Sequence, residues 1–202
     1  TYATPVARFL WTPSNQGAEN KVQQKSDYYL VDFSENAEFQ AALTDGFTVE
    51  TVYMSPVNYG ASSVIVGTNT WSLYRPSVGV TAENGSPLAA SVNTNININP
   101  WVNFGTVSTP LKFHAPRQYH HAMYIYDDVN NKVQVYVDGV FDNEIANVEA
   151  FNLGYKLGIG ARPMEGVDAN YATAIHHWSG DIAMVRIHDN VFTADEVAAQ
   201  YA

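Results

Sequence analysis

Apolar and polar residues alternate along most of this chain. Phe47, Val49 and Thr51 alternate with Thr48, Glu50 and Val52, and Val133, Val135 and Val137 share a face opposite Gln134 and Tyr136. Successive strand side chains point to opposite faces, so a period of two predicts half-buried strands. Such strands are expected over 27–34, 46–54, 62–68, 70–76, 93–99, 119–127, 132–139, 155–160 and 181–188, with 110–113 leading into 119–127. Residues 1–26, Asn/Gln-rich around NQGAENKVQQK, read as an edge strand and loops, and 36–43 as a short helical turn. PWVNFG (100–105) reads as a loop or bulge with two aromatic residues. Asp45-Gly46, Asn84-Gly85 and Asp138-Gly139 mark turns. An Asp-Gly pair between alternating runs is a strong hairpin signal, because a type I′ turn needs φ > 0 at both central residues. Turns every ten or so residues, with almost no helix, predict an all-β, two-sheet antiparallel sandwich formed by residues 1–202 as one domain.

One helix is well specified, at the C-terminus. Thr193 is its expected N-cap and Glu196 its N3 residue, which makes a capping box. Phe192 at N′ and Val197 at N4 form a hydrophobic staple. Its expected role is to cover the end of the sandwich.

The order of the parts adds a second line of argument. Asp32-Phe33, Phe47-Thr48-Val49-Glu50, Tyr119-His120-His121, Tyr136-Val137-Asp138-Gly139, Leu157-Gly158-Ile159-Gly160, Gly180-Asp181-Ile182, Val185-Arg186-Ile187 and Phe192-Thr193…Glu196 follow one another. Over roughly residues 27–202 this set resembles the laminin-G-like, concanavalin A-type jelly rolls, a superfamily that includes the pentraxins. The resemblance implies a jelly-roll sandwich, and a noncatalytic module of a secreted or surface protein, often one that binds glycans. It also implies a structural calcium, held by an aspartate early in the last strand. This chain has Ala183 at that position. Asp181, two residues earlier and so on the same face of a regular strand, is the candidate substitute, with an oxygen chemistry that suits calcium.

Charge narrows the partners. The chain has 20 Asp+Glu against 10 Lys+Arg, a net charge of −10, and no cysteine. Disulfides and thiolate metal sites are excluded. No basic run offers phosphate contacts, so nucleic acid is not an expected partner. An acidic surface disfavours anionic membranes, and no apolar run approaches the ~18 residues of a membrane span. The opening TYATPV has no signal-peptide pattern, as in a processed chain. Extracytoplasmic placement, secreted or on a bacterial cell surface, is the expectation.

Candidate ligand-binding residues cluster in the long loop 166–178, with Asp168, Asn170, Tyr171, His176, His177 and Trp178. Long loops on a rigid sandwich carry binding residues. Amide and carboxylate groups bond sugar hydroxyls, and aromatic rings stack on sugar C–H faces. The alternative is that Trp178 is a core residue and the histidines lie on the surface. Trp71, Tyr74, Trp101 and Phe104 either line a groove on the concave sheet or fill the core. The pairs His120-His121 and His176-His177 each offer at most one ligand per strand face, which argues against a zinc site.

Catalysis finds little support. Retaining glycanases need two carboxylates about 5–5.5 Å apart, most simply supplied by acids two residues apart on one strand face. No E-x-D-x-E-like strand occurs, nor a G-x-S-x-G elbow. LGIGARP has two glycines but no following helix, so it reads as a strand with a close backbone approach rather than a dinucleotide site. Three readings follow. The first is a noncatalytic carbohydrate-binding module that takes a neutral or basic glycan. The second is a structural or adhesion module packed against a neighbouring domain of the same polypeptide. The third is a glycoside hydrolase with an unorthodox acid pair.

Overall fold

Alternation along the chain becomes a pair of facing sheets. The structure, a computed structural model, describes residues 7–9, 28–55, 63–68, 71–75, 86–87, 89–92, 105–106, 113–115, 117–146, 148, 156–163, 174–175, 177–178 and 180–202. In chain order its strands are β1 (Ala7–Phe9), β2 (Tyr29–Asp32), β3 (Phe47–Met54), β4 (Ser63–Gly67), β5 (Trp71–Arg75), β6 (Ser86–Pro87), β7 (Ala89–Val92) and β8 (Gly105–Thr106). Then come β9 (Phe113–His114), β10 (Tyr119–Asp127), β11 (Lys132–Val137), β12 (Val140–Ala146), β13 (Lys156–Ile159), β14 (Arg162–Pro163), β15 (Ala174–Ile175) and β16 (Gly180–His188). Helix α1 (Ala37–Ala42) follows β2, and α2 (Ala194–Tyr201) follows β16. One six-stranded sheet runs β1-β16-β3-β10-β11-β12 and the other β2-β13-β4-β5-β7-β8. Neighbouring strands pair antiparallel throughout. The first segment is an edge strand, as expected, paired to β16. The expected strand at 93–99, the turn at Asn84-Gly85 and most of the loop at 100–105 lie outside the described residues.

The main core lies between the sheets. Phe47, Val49 and Tyr53 of β3, Tyr124 and Tyr126 of β10 and Val133, Val135 and Val137 of β11 meet Ile65, Val66, Trp71 and Leu73 of the other sheet. Fully burying one such side chain contributes about 1.5–3 kcal/mol. The opposite face of the first sheet is partly roofed by α2, where Met123, Ile125 and Tyr136 pack beneath Phe192 and Val197. The capping box forms: Thr193 Oγ1 accepts from Glu196 N–H, and Glu196 Oε2 accepts from Thr193 N–H. Thr48 ties the helix to the sheet, since its hydroxyl donates to Asn190 O at 2.8 Å and accepts from Phe192 N–H at 3.1 Å.

Two local features set the site. Asp138 (φ 51°) and Gly139 (φ 74°) are both left-handed, as the type I′ turn between β11 and β12 requires. Between Ile182 and Met184 the pairing of β16 with β3 slips by one residue, with Ala183 as the extra residue of a bulge. Elsewhere, Gly158 makes the close approach expected of LGIG: a Cβ there would run into the Ala161 carbonyl.

Candidate functional site

The alternation that sends Phe47, Val49 and Tyr53 inward sends Thr48, Glu50 and Val52 to the outer face of the first sheet. Glu50 stands there opposite Met123 of β10 and Arg186 of β16. It is 2% exposed. A carboxylate so buried must be paired and hydrogen-bonded. His121 Nε2 donates to Glu50 Oε1 at 3.0 Å, and His188 Nε2 donates to Oε2 at 3.1 Å. The Arg186 guanidinium reaches the same Oε2 at 3.4 Å. Burial pushes the Glu50 carboxyl up, but the bonds from His121 and His188 and the attraction of His121 and Arg186 outweigh it, so the group sits below the usual glutamate range.

A second carboxylate borders this cluster. The left-handed turn aims Asp138 back at β10, where Oδ1 accepts from the His121 backbone N–H at 3.0 Å. Oδ2 faces His120 Nδ1 at 2.7 Å, and His120 Nε2 donates to Ala115 O at 2.8 Å. His120 and His121 thus serve different neighbourhoods, as adjacent strand residues must. The imidazoles of His121 and His188 approach different oxygens of Glu50 and do not converge on a point. Among the described residues no group of three or more His, Cys, Asp or Glu is placed to hold a metal ion.

A recess of about 370 Å³ opens beside the cluster. Glu50, Tyr119, His121, Asp138, Arg186 and Tyr201 line it, with Val52, His120, Met184 and Gln200. Tyr119 and Tyr201 are 48% and 53% exposed. Tyr201, in the last turn of α2, lies over the hairpin, with ring atoms 3.0–3.2 Å from where a Gly139 Cβ would be. Its ring centroid is 6.0 Å from that of His121. The Arg186 side chain is 57% exposed. The result is a hollow of mixed polar and apolar lining with two half-exposed aromatic rings in its walls.

Few of the residues singled out from the sequence meet here. Asp168, Asn170, Tyr171, His176 and Trp101 lie outside the described residues, as does Phe104. Trp71 and Trp178 are 2% and 0% exposed and belong to the core. Trp71 packs 5.2 Å from Phe47 and 5.1 Å from Tyr124, and Trp178 packs edge-on 5.8 Å from Tyr53. Rings so enclosed offer no face to a sugar, and the core alternative weighed for them is what the structure has. His177 is also buried, in edge contact with the Tyr28 ring at 5.4 Å. Tyr74 lies in β5, paired with Ala89 of β7.

Asp181 is 3% exposed, and its Oδ2 accepts from the Tyr119 hydroxyl at 3.0 Å. The bulge at Ala183 removes the argument that residues 181 and 183 share a face, which holds only in a regular strand. Calcium takes 6–8 oxygen ligands, and among the described residues no group of three or more His, Cys, Asp or Glu gathers at Asp181.

The recess itself was not singled out in the sequence. Glu50 and Arg186 stand there in the strings FTVE and VRI, whose regularity reads as strand. An acid between Val49 and Thr51 in a core strand was the available signal, since it must find buried partners.

Comparison with known proteins agrees with this architecture. The family profile described as the Concanavalin A-like lectin/glucanases superfamily (Laminin_G_3) matches residues 24–198. A search of curated proteins found no match. Similar solved structures include the CBM40 of Ruminococcus gnavus IT-sialidase bound to α2,3 sialyllactose, with TM-score 0.58 and 12% identity, covering 86% of this chain and 92% of that one. Domain 4 of a Geobacillus stearothermophilus GH43 extracellular arabinanase, in complex with arabinotriose, has TM-score 0.52 and 16% identity, with 80% and 69% covered. A SAP-like pentraxin from Limulus polyphemus has TM-score 0.57 and 15% identity, with 79% and 70% covered. At these identities the likeness to solved structures is one of fold. By its profile match over most of its length, its facing antiparallel sheets and its capped C-terminal helix, the chain belongs to the laminin-G-like family of the concanavalin A-like lectin/glucanase superfamily.

Proposed function

We propose that this domain is a noncatalytic carbohydrate-binding module and that the recess beside Glu50 holds the sugar. The observation that carries this reading is the pairing of two half-exposed tyrosine rings with polar groups in one hollow. Ring faces take sugar C–H surfaces, and fixed polar groups choose among hydroxyls. The sugar-bound CBM40 and arabinanase domain, similar in fold, support the class. A binding role without chemistry fits the carboxylates. Glu50 is held low and engaged at both oxygens, so it is poorly suited to donate a proton to a leaving group. Asp138 is likewise engaged at both oxygens. The proposal extends to a secreted or surface-borne parent protein of bacterial origin. No helix among the described residues is long and apolar enough to cross a membrane.

A glycan array followed by calorimetry tests the reading. Single-site affinity is expected in the range of ~0.01–1 mM, since an open site gains little beyond the cost of ordering its ligand. Tyr201→Ala should weaken it about fivefold or more, the loss expected of one stacking contact. A protein that binds no glycan, or a Tyr201→Ala variant with unchanged affinity, overturns the assignment.

The second reading, a module packed against a neighbouring domain, has its own observation. Edge strand β2 exposes Tyr29, Leu30 and Val31 at 60%, 40% and 46%. Edge strands with exposed apolar side chains favour protein contacts.

A further inference from the structure

We infer that the sugar taken by the recess carries a carboxylate, and that Arg186 captures it. This rests on the reading of the recess as a sugar site and names the class of sugar. Donors and acceptors in the recess are unequally engaged. The acids that line the recess have their oxygens engaged. Glu50 Oε1 accepts from His121, and Oε2 accepts from both His188 and Arg186. Asp138 Oδ1 accepts from the His121 backbone N–H, and Oδ2 faces His120. Glu50, 2% exposed, offers a sugar hydroxyl little, while Asp138, 34% exposed, keeps a lone pair on each oxygen.

Donors are in surplus. A guanidinium has five N–H groups in a rigid fork. Among the described residues Arg186 has one partner, Glu50, reached by one nitrogen at the long distance of 3.4 Å. More than half of the side chain faces solvent at the recess. The remaining N–H groups face water that a ligand can displace, and the planar fork matches a carboxylate with two parallel bonds. Glu50 is then a positioning residue. It anchors one nitrogen, and is itself held by two imidazoles, so the fork is partly ordered before the ligand arrives. That lowers the cost of binding.

The chain's net charge of −10 does not decide the matter. Exposed charges further away than about 8 Å are largely screened at physiological salt. Within that range Arg186 is the most exposed charge of the recess, its side chain 57% exposed against 34% for Asp138 and 2% for Glu50. This revises the expectation of a neutral or basic glycan, which used the global charge alone.

The test is an array of paired glycans, each acidic sugar printed beside its carboxyl-reduced counterpart. Hits are then titrated against wild type, Arg186→Gln and Arg186→Lys. Wild type should prefer the acidic member of a pair about tenfold to a hundredfold, as hydrogen bonds to charged groups do. Arg186→Gln should abolish that preference while keeping the weaker binding to the reduced form. Arg186→Lys, which keeps the charge and loses the fork, should restore part of it. Acidic preference in wild type should shrink as salt rises. Equal affinity for both members of each pair, or an acidic preference that survives in Arg186→Gln, overturns the inference and leaves the sugar site standing. Absence of binding to any glycan removes the sugar site itself, and this inference with it.

Discussion

Replacing Glu50 with glutamine is the sharpest test of the cluster. The side chain keeps its shape but loses its charge and one acceptor. Its carbonyl oxygen still accepts from one imidazole, while its NH2 is turned toward the other. The group is 2% exposed, so water does not repair the mismatch. Hydrogen bonds to a charged group contribute about 1.5–3 kcal/mol, and losing the charged half of this set should cost about 1–3 kcal/mol. For a chain of this length each kcal/mol lowers the melting temperature by roughly 2–4 °C. Glu50→Ala, which leaves the imidazoles facing an empty space, should cost about 3–5 kcal/mol. Urea unfolding followed by tryptophan fluorescence reads this well, because Trp71 and Trp178 are both buried. The pH dependence gives an independent check. Glu50 is lowered in the folded state, so its contribution is fully present above the unfolded glutamate value of about 4.3. It is lost as pH falls through the lower folded value. The gap between wild type and Glu50→Gln should be widest near neutrality and narrow below about pH 4. Asp32 and Glu196, also lowered by their own hydrogen bonds, are common to both proteins and cancel. A gap that stays constant down to pH 3, or no gap at all, refutes the account of Glu50 as an ionised, paired carboxylate.

Two further outcomes follow from the fold. Gly139→Val forces a β-branched residue to φ near 74° and against the Tyr201 ring, so denaturation should show a loss of about 1–3 kcal/mol. An unchanged midpoint would contradict the turn. Trp178→Ala should unfold the domain more easily by about 3–5 kcal/mol, as deletion of a fully buried aromatic does. Selective loss of glycan binding with stability intact would instead return Trp178 to the binding surface.

The sandwich was legible because its information is local. Period-two patterning, the Asp-Gly turn at 138–139 and the capping box at Thr193 each declare themselves within a few residues. The recess was not, because it depends on pairing. Glu50 and Arg186 are 136 residues apart in sequence, and His188 bonds Glu50 only because β16 lies beside β3 in that register. Tyr201 reaches the site because Thr48 and the packing of Val197 fix where α2 lies. Of the aromatic residues singled out from the sequence, Trp71 and Trp178 are enclosed in the core. The tyrosines that do border the recess were not separable from the other Tyr residues by composition.

The bulge at Ala183 has a consequence for how this strand can change. Asp181 is paired with Met54, and Arg186 with Glu50, so both belong to the outer phase of β16 although they lie five positions apart. An odd spacing on one face is what a single inserted residue produces. Strand β16 thus has a reading frame, shifted once and then kept through Met184, Arg186 and His188. Deleting Ala183 would restore regular alternation by frame-shifting one half of the strand against the other. Either Asp181 and Ile182 exchange faces, or Arg186 and His188 turn into the apolar core while Val185 and Ile187 turn out. Substitution at Ala183 should be mild by comparison. In this domain the length of the last strand, more than the identity of its extra residue, keeps the guanidinium at the recess.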